Sequence, residues 1–217
     1  MSNTVLVIGA SGTGKSTSLR NFDPKSTFII SVLDKPLPFK GYKKNYNNEN
    51  KNYFCSDNYI EIIKYIKAID ERRPEITTLV LDDAHFLMAN EFMERACEKG
   101  YERFSEIAQH MWMVMCAITA TRDDLICFVL SHNEIDNTGL SKPKTVGKLL
   151  DDKITLEAMV TICLHTIVRD GQYRFLTQND GSHVCKSPIG MFDELLIDND
   201  LFHVKQCIEN YYNDSEI

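Results

Sequence analysis

The chain has 217 residues, 24 Lys and Arg against 31 Asp and Glu for a formal net charge of −7, and 43% hydrophobic residues. This composition is typical of a globular protein and excludes a mainly disordered chain. No apolar run reaches the ~18 residues that a bilayer-spanning helix needs, and a signal-peptide pattern is absent, so we expect a cytoplasmic protein that has no membrane partner. The length favours one domain over residues 1–217, since it supports a single large core.

The seven cysteines are scattered singly along the chain, without a CxxC pair. This pattern excludes a disulfide framework and a cysteine-based zinc site, and we expect reduced thiols. The acidic balance argues against a surface that is uniformly covered by nucleic acid, but it leaves room for a local basic patch.

A glycine-rich segment follows a short β-branched apolar run at 4–8. It reads Gly-Ala-Ser-Gly-Thr-Gly-Lys-Ser over 9–16 and fits the phosphate-binding pattern GxxxxGK[ST], the P-loop. In this pattern backbone N–H groups surround phosphates, Lys15 reaches the β- and γ-phosphates, and the Ser16 hydroxyl ligates Mg²⁺. We therefore expect ATP and Mg²⁺ as cofactors and a helix from about Gly14 to Leu19; the alternative is a glycine-rich turn without a ligand. The predicted nucleotide contacts are Gly9, Ala10, Ser11, Gly12, Thr13, Gly14, Lys15, Ser16 and Thr17.

A pair of aspartates follows the apolar segment 77–81. Asp82 and Asp83 come directly after this predicted strand, the pattern of a Walker B motif. A carboxylate at the carboxyl end of a strand beside a P-loop can hold the Mg²⁺ shell, so Asp82 and Ser16 are the predicted metal partners. The alternative is a strand that ends in a solvated aspartate pair.

The remaining elements alternate between helix and strand. Residues 57–71 and 86–121 have helical periodicity, with Asp57 as the expected N-cap of the first and a break at Gly100 in the second. Segments 27–33 and 124–130 are continuous apolar runs that favour buried strands. The pattern predicts an α/β fold whose parallel sheet is covered by helices on both faces. The expected apolar face of the second helical segment comprises Phe104, Ile107, Ala108, Met111, Trp112, Met115 and Ile118.

The C-terminal third has a different pattern. A short helix over 154–163 should lead into a strand, and the Asp170-Gly171 dipeptide predicts a hairpin that joins 161–168 to 172–177. We therefore expect an antiparallel extension at one edge of the parallel sheet. The acidic segment 193–217 predicts one docked helix, with Leu195, Leu201, Val204 and Ile208 facing the core, and a loose tail over 213–217.

Hydrolysis of ATP needs a group that orients or deprotonates water and a group that senses the γ-phosphate. Asp34 and Asp83 each follow a predicted strand and are the alternative candidates for the base. His132 and Glu134 follow the fourth strand and are candidates for the sensor. Polar residues at strand ends are also common without any function, so each assignment has a structural alternative.

Two segments are rich in lysine. The segment from residue 35 to residue 54 contains five lysines and one acidic residue, and aromatic residues such as Tyr42 and Tyr46 lie among them. This combination suits the binding of single-stranded nucleic acid. The alternative is a solvated Asn-rich loop that its aromatic rings fix to the body. The second segment, 138–148, could contact DNA or supply a cation to a neighbouring subunit, or simply be a solvated loop. The predicted nucleic-acid contacts are Lys40, Lys43, Lys44, Lys142, Lys144 and Lys148.

Six segments together resemble one known family. They are Gly9 to Ser16, Asp34-Lys-Pro-Leu-Pro-Phe, Leu79-Val-Leu-Asp-Asp, Ser131-His132, Lys144-Thr-Val-Gly-Lys148 and Lys186-Ser-Pro-Ile-Gly-Met-Phe192. Over about residues 3–192 the chain is similar to the phage-encoded P-loop ATPases of the AAA family that have a RecA-like core, a group that includes phage single-strand annealing recombinases. The insertion at about 40–54 and the short Asp83 carboxylate depart from the family pattern.

The resemblance implies a RecA-like core that hydrolyses ATP with Mg²⁺ and acts on single-stranded DNA in recombination or replication. It also implies a homo-oligomer, a single-strand-binding protein as a further partner, and a mobile DNA-contacting loop over about 134–153. Two other functions stay open. One is a nucleotide or nucleoside kinase, although the loop after the fourth strand lacks the arginines of a kinase lid. The other is a nucleotide-gated assembly or motor accessory protein that hydrolyses ATP weakly.

Overall fold

The computed structural model describes residues 3–213, apart from the side chains at 151 and 152, as one sheet of nine strands flanked by helices. The strands are β1 Thr4–Gly9, β2 Thr27–Ser31, β3 Tyr53–Cys55, β4 Thr78–Asp82, β5 Ile126–Ile135, β6 Ser141–Pro143, β7 Ile162–Arg169, β8 Gln172–Leu176 and β9 Leu196–Asp198. The α-helices are α1 Tyr42–Asn45, α2 Tyr59–Arg72, α3 His85–Glu94, α4 Glu102–Thr119 and α5 Leu201–Asn213.

The strand order is β3-β2-β4-β5-β1-β7-β8-β9, and β6 pairs with the end of β5. The six strands from β3 to β7 are parallel, whereas β8 and β9 are antiparallel additions at one edge. The predicted parallel sheet with an antiparallel C-terminal edge is therefore confirmed. Strand β5 lies between β1 and β4, so the strand that leads into the glycine-rich loop is not a neighbour of the strand that ends at Asp82.

Helices cover both faces of the sheet. Alternate residues of β1 point to opposite sides, so Leu6 and Ile8 join a core with α2, α3 and α4, whereas Val5 and Val7 join a core with α5. All four side chains are fully buried. Burial on two faces explains why the central strands are continuous apolar runs rather than alternating ones.

Helix α2 confirms the predicted amphipathic segment but has a different N-cap. The side chain of Asn58, not Asp57, accepts the backbone N–H groups of Ile60 at 2.9 Å and Glu61 at 3.2 Å. Asp57 instead accepts a hydrogen bond from Asn90 at 2.8 Å. The prediction of Asp57 as the cap is wrong by one residue because both residue types suit this position.

The segment 86–121 forms α3 and α4, which are separated by the predicted break around Gly100. The predicted inclusion of Trp112 in the buried face is wrong, since Trp112 is 40% exposed while Val114 is fully buried. Residues Met111, Val114, Met115 and Ile118 follow the spacing of one helical face, and Trp112 lies about 100° away from Met111 around the helix.

The C-terminal hairpin is confirmed, with β7 and β8 joined at Asp170 and Gly171, whose φ angles are 51° and 73°. The segment 134–153, predicted as a mobile loop, contains the end of β5, strand β6 and the start of a π-helical turn over Leu150–Ile154. Its mobility stays a prediction. The short helix expected near 154–163 is a 3-10 helix over Leu156–Met159.

Helix α5 docks through Leu201, Val204 and Ile208, as predicted, while Leu195 lies outside the helix and is half exposed. Lys205 on the same helix is buried. Its ammonium donates to Thr77 Oγ1 at 2.8 Å and to Thr78 Oγ1 at 3.0 Å. Residues 214–217 of the expected loose tail lie outside the described residues. Among residues 3–213, no helix is long and apolar enough to cross a membrane.

Replacing Asn58 by Ala should lower the free energy of unfolding by about 1 kcal/mol, because two N–H groups of the first turn of α2 lose their acceptor. Asn58→Asp is the matched control, since its carboxylate can accept the same hydrogen bonds. Urea titration of the three proteins would measure the difference. Equal midpoints for the parent and Asn58→Ala would contradict this role of the cap.

Candidate functional site

The glycine-rich loop, Gly9–Ser16, begins at the carboxyl end of β1 and is pressed against β7. A Cβ at Gly9 would lie 1.7 Å from Thr166 Oγ1, so no larger residue fits there without moving β7. Gly14 has a φ of +98°, a conformation that favours glycine. The loop therefore needs glycine both for close packing and for its backbone path.

Lys15 lies inside this loop and is only 7% exposed. Its ammonium donates to the carbonyl oxygens of Gly9 at 2.7 Å and Ala10 at 2.8 Å. Burial lowers the pKa of Lys15 to about 8, although the nearby carboxylates of Asp83 and Asp82 oppose this change. The loop thus holds a desolvated cation that an added anion would stabilise.

The hydroxyl of Ser16 donates to Asp82 Oδ1 at 2.9 Å. Asp82 ends β4 and is fully buried, and burial, followed by the charge of Asp83, raises its pKa to about 6 against the lowering effect of the Ser16 hydrogen bond. Its Oδ2 atom is buried and has no hydrogen-bond partner among the described residues. A hydroxyl beside a carboxylate with an unused buried oxygen is a donor set that fits Mg²⁺.

Mg²⁺ at this position would need further ligands. Within residues 3–213, no group of three or more His, Cys, Asp or Glu side chains is placed to hold a metal ion. This matches the usual binding of Mg²⁺, which takes one or two protein ligands and fills its remaining positions with phosphate oxygens and water.

Asp83 is also buried, and it lies between two partners. Lys35 Nζ is 2.5 Å from Asp83 Oδ2, and His132 Nε2 is 3.9 Å from Asp83 Oδ1. Burial, followed by the charge of Lys15, lowers the pKa of His132 to about 4, so this imidazole is neutral at pH 7. The predicted candidates Asp83 and His132 are therefore brought together, along with a lysine that was not predicted for this site.

Lys35 is the first of the five lysines between residues 35 and 54, so the sequence predicts it only as part of that lysine-rich segment. No local pattern distinguishes it from the four lysines that follow, and only the path of the chain after β2 turns it toward Asp83.

The structure does not bring Asp34 and Glu134 into this site. Asp34 is exposed and is not among the residues that line the cleft around the loop. Glu134 continues β5 away from the loop, and its carboxylate lies 3.8 Å from Lys142 Nζ on the paired strand β6.

The glycine-rich loop forms the floor of a cleft of about 720 Å³, within the usual range of ligand sites. Thr13 is turned inward, and its hydroxyl lies 2.5 Å from Thr166 Oγ1. Arg20 and Asn199, which were not predicted, form the C-terminal wall, where Arg20 donates to the Asn199 carbonyl at 2.7 Å. The cleft is lined by Ser11, Gly12, Gly14, Lys15, Ser16, Thr17, Arg20, Lys35, Pro36, Pro38, Asp83, His132, Tyr173, Asp198, Asn199 and Asp200.

The lysines predicted to bind nucleic acid lie in two separate segments, which include the short helix α1 and strand β6. Five of them are exposed, whereas Lys142 is half-buried beside Glu134. The idea that Tyr46 stacks on a base is wrong, because its ring is only 4% exposed and packs edge-on against Phe39. The exposed lysines are Lys40, Lys43, Lys44, Lys144 and Lys148.

Replacing Asp82 by Asn should raise the stability of the ligand-free protein by about 1 to 3 kcal/mol at pH 8. Because its pKa rises from 3.8 to about 6 on folding, the destabilising effect of Asp82 builds up as the pH rises from 3.8 to about 6 and is complete above that range. The gain should shrink as the pH falls from about 6 and vanish only well below 3.8, where Asp82 is protonated in both states. Urea unfolding at several pH values would measure it, and a gain independent of pH would contradict this cause.

A scan of the chain against protein-family models and a search of the curated proteins both find no match. The chemistry of the site is therefore inferred from its own groups: a buried ammonium in a glycine-rich loop, a hydroxyl bound to a buried carboxylate, and an Asp–Lys pair at the edge of a cleft.

Proposed function

We propose that this chain is a RecA-like P-loop ATPase that binds ATP with Mg²⁺, hydrolyses the γ-phosphate bond and acts on single-stranded DNA in phage recombination or replication. The observation that carries the nucleotide part is the 2.9 Å hydrogen bond from Ser16 to Asp82 beside the buried ammonium of Lys15. Together these side chains can serve a phosphate group and a magnesium ion at once.

The position of His132 and the lining of the cleft favour an ATPase over a kinase. Strand β5 lies between β1 and β4. It pairs His132 with Gly9 in register, so the imidazole lies level with the start of the loop. A neutral imidazole in this place can exchange hydrogen bonds with a γ-phosphate. Among the described residues that line the cleft, arginine is represented by Arg20, which does not amount to the arginine-rich lid expected of a kinase.

The roles of the charged residues follow from their positions. Lys15 and Lys35 would supply positive charge to the phosphates from within one chain, and the aspartates Asp83, Asp198 and Asp200 also line the cleft. Bound Mg²⁺ would neutralise phosphate charge beside Ser16 and Asp82. Asp83 is the preferred base for the attacking water, because it lines the cleft and Asp34 does not.

One contact favours a second candidate, a nucleotide-gated switch with weak hydrolysis. The ammonium of Lys35 lies 2.5 Å from Asp83 Oδ2. It therefore pairs with the carboxylate that would accept a proton from water. While this ion pair persists, Asp83 Oδ2 contacts the Lys35 ammonium rather than a water molecule. In such a protein, slow turnover would follow nucleotide binding unless a partner separated the pair.

Lys15→Ala should weaken ATP binding by at least about tenfold and abolish turnover, because the phosphates lose their desolvated cation. Lys25→Ala, which removes an exposed lysine outside the cleft, is the matched control. Isothermal calorimetry with ATP and Mg²⁺ and a phosphate-release assay would measure both effects. If Lys15→Ala binds ATP as tightly as the parent, the proposed nucleotide site is wrong.

Asp83→Asn should lower turnover about 100-fold or more while ATP affinity changes little, since a general base acts on the chemical step. Asp34→Asn is the control and should turn over like the parent. The reverse ranking of the two variants would assign the base to Asp34.

Stimulation of turnover by a single-stranded oligonucleotide would support the DNA-acting ATPase. Transfer of phosphate to a nucleoside acceptor would support the kinase, and tight binding with slow, DNA-independent hydrolysis would support the switch. All three outcomes can be read from one set of reactions with labelled ATP.

A further inference from the structure

A second groove, of about 560 Å³, lies at the opposite side of the parallel sheet from β7, beside the short strand β3. Its described lining contains three basic residues and no acidic residue, in a chain whose net charge is −7. The groove is therefore a local basic site on an acidic protein. It is lined by Phe28, Asn48, Lys51, Tyr53, Phe54, Tyr65, Ala68, Ile69, Arg72 and Arg73.

The floor of this groove carries a pair of stacked rings. Phe54 on β3 and Tyr65 on α2 lie with their centroids 3.7 Å apart and their planes within 15° of parallel. Phe28 on β2 supports Tyr65 from 6.1 Å. Tyr65 nevertheless keeps 40% of its surface exposed, so the pair presents a fixed aromatic surface to solvent. A planar nucleobase can extend such a stack.

The cations stand at the rim of the same groove, and one of them, Arg73, is held by the backbone. Arg73 donates from Nη1 to the carbonyl of Lys51 at 3.0 Å and also pairs with Glu75, which ties the Asn-rich loop to the end of α2. Arg72 is the last residue of α2 and is exposed.

The lysine-rich loop continues directly into this rim. The side-chain amide of Asn47 donates to the carbonyl oxygen of Lys43 at 2.9 Å, and that of Asn50 donates to the carbonyl oxygen of Lys44 at 2.9 Å. These bonds fold the loop into a compact turn that ends at Lys51. The exposed lysines of the turn and the cations of the groove therefore belong to one connected stretch of surface.

We propose that this groove binds single-stranded nucleic acid, with a base stacked on Tyr65 and the adjoining phosphates paired with Lys51, Arg72 and Arg73. The inference deepens the proposed function, since it places the DNA partner named there on a surface separate from the ATP cleft. An acidic peptide could pair with the same cations, but it would leave the exposed stacked rings without a planar partner. The aromatic floor therefore favours nucleic acid.

The test is fluorescence anisotropy of a labelled oligothymidylate of about 20 nucleotides with the full chain, at several salt concentrations. Tyr65→Ala should weaken binding about 5- to 150-fold, whereas Tyr65→Phe should bind like the parent. Arg72→Gln should lower the slope of log affinity against log salt by about 0.7, because one phosphate contact is lost. Arg72 is exposed, so this variant tests the groove even if Tyr65→Ala unfolds.

Matched controls remove the same residue types elsewhere. Tyr101→Ala alters a tyrosine that is 89% exposed, and Arg169→Gln alters an exposed arginine on the far hairpin; both should bind the oligonucleotide like the parent. No binding by the parent, or equal affinity and equal salt slopes for the parent, Tyr65→Ala and Arg72→Gln, would overturn the inference. The inference would also be overturned if the groove variants lost affinity for polyglutamate but kept their affinity for the oligonucleotide, since this result would identify an acidic peptide as the ligand.

ATP hydrolysis measured without DNA separates the two proposals. If the groove variants hydrolyse ATP like the parent but oligonucleotide binding does not depend on the groove, only the present inference fails. If the parent and Lys15→Ala bind ATP equally poorly while Arg72→Gln still weakens oligonucleotide binding, the proposed ATPase fails and the nucleic-acid groove stands.

Discussion

The hydrogen bond from Ser16 to Asp82 depends on three strands at once. It joins the loop after β1 to the end of β4, and β5 lies between those two strands. The groups can meet only because the three strands are parallel and end at the same edge of the sheet. Phe128 in β5 is paired with Val5 on one side and Val80 on the other, so the apolar core that aligns the strands also sets the position of the polar site.

The same burial disfavours the charged forms of the side chains in the site. Desolvation lowers the pKa of Lys15 and raises that of Asp82, so each group is pushed toward its neutral form. Lys35 compensates part of this cost through its ion pair with Asp83. A ligand that brings anionic phosphates to the lysine and a cation to Asp82 would restore both charges, which is why the geometry suits a magnesium nucleotide better than a neutral ligand.

Local patterns were sufficient for the parts of the site that one segment builds. The glycine-rich loop, the strand before Asp82 and the turn at Asp170 each follow from the residue types within a few positions. The local sequence could not show which of Asp34 and Lys35 lines the cleft. That outcome depends on β2 ending at Ser31 and on Leu37 packing into the core. The strands β3, β6 and β9 were missed for a related reason: each has three residues and exists through pairing with a distant strand.

Strand β2 connects the two surfaces that carry the proposals. Phe28, near its start, lines the groove beside β3, and the segment that leaves its carboxyl end carries Lys35 to Asp83 in the cleft. Ser31, at the end of β2, is in register with Asp82 on one side and Cys55 of β3 on the other. If nucleic acid binds in the groove as proposed, it would lie beside the strand whose carboxyl end leads to Lys35 and its ion pair with Asp83. Strand β2 is therefore the element through which a coupling between the two proposed sites would have to be sought.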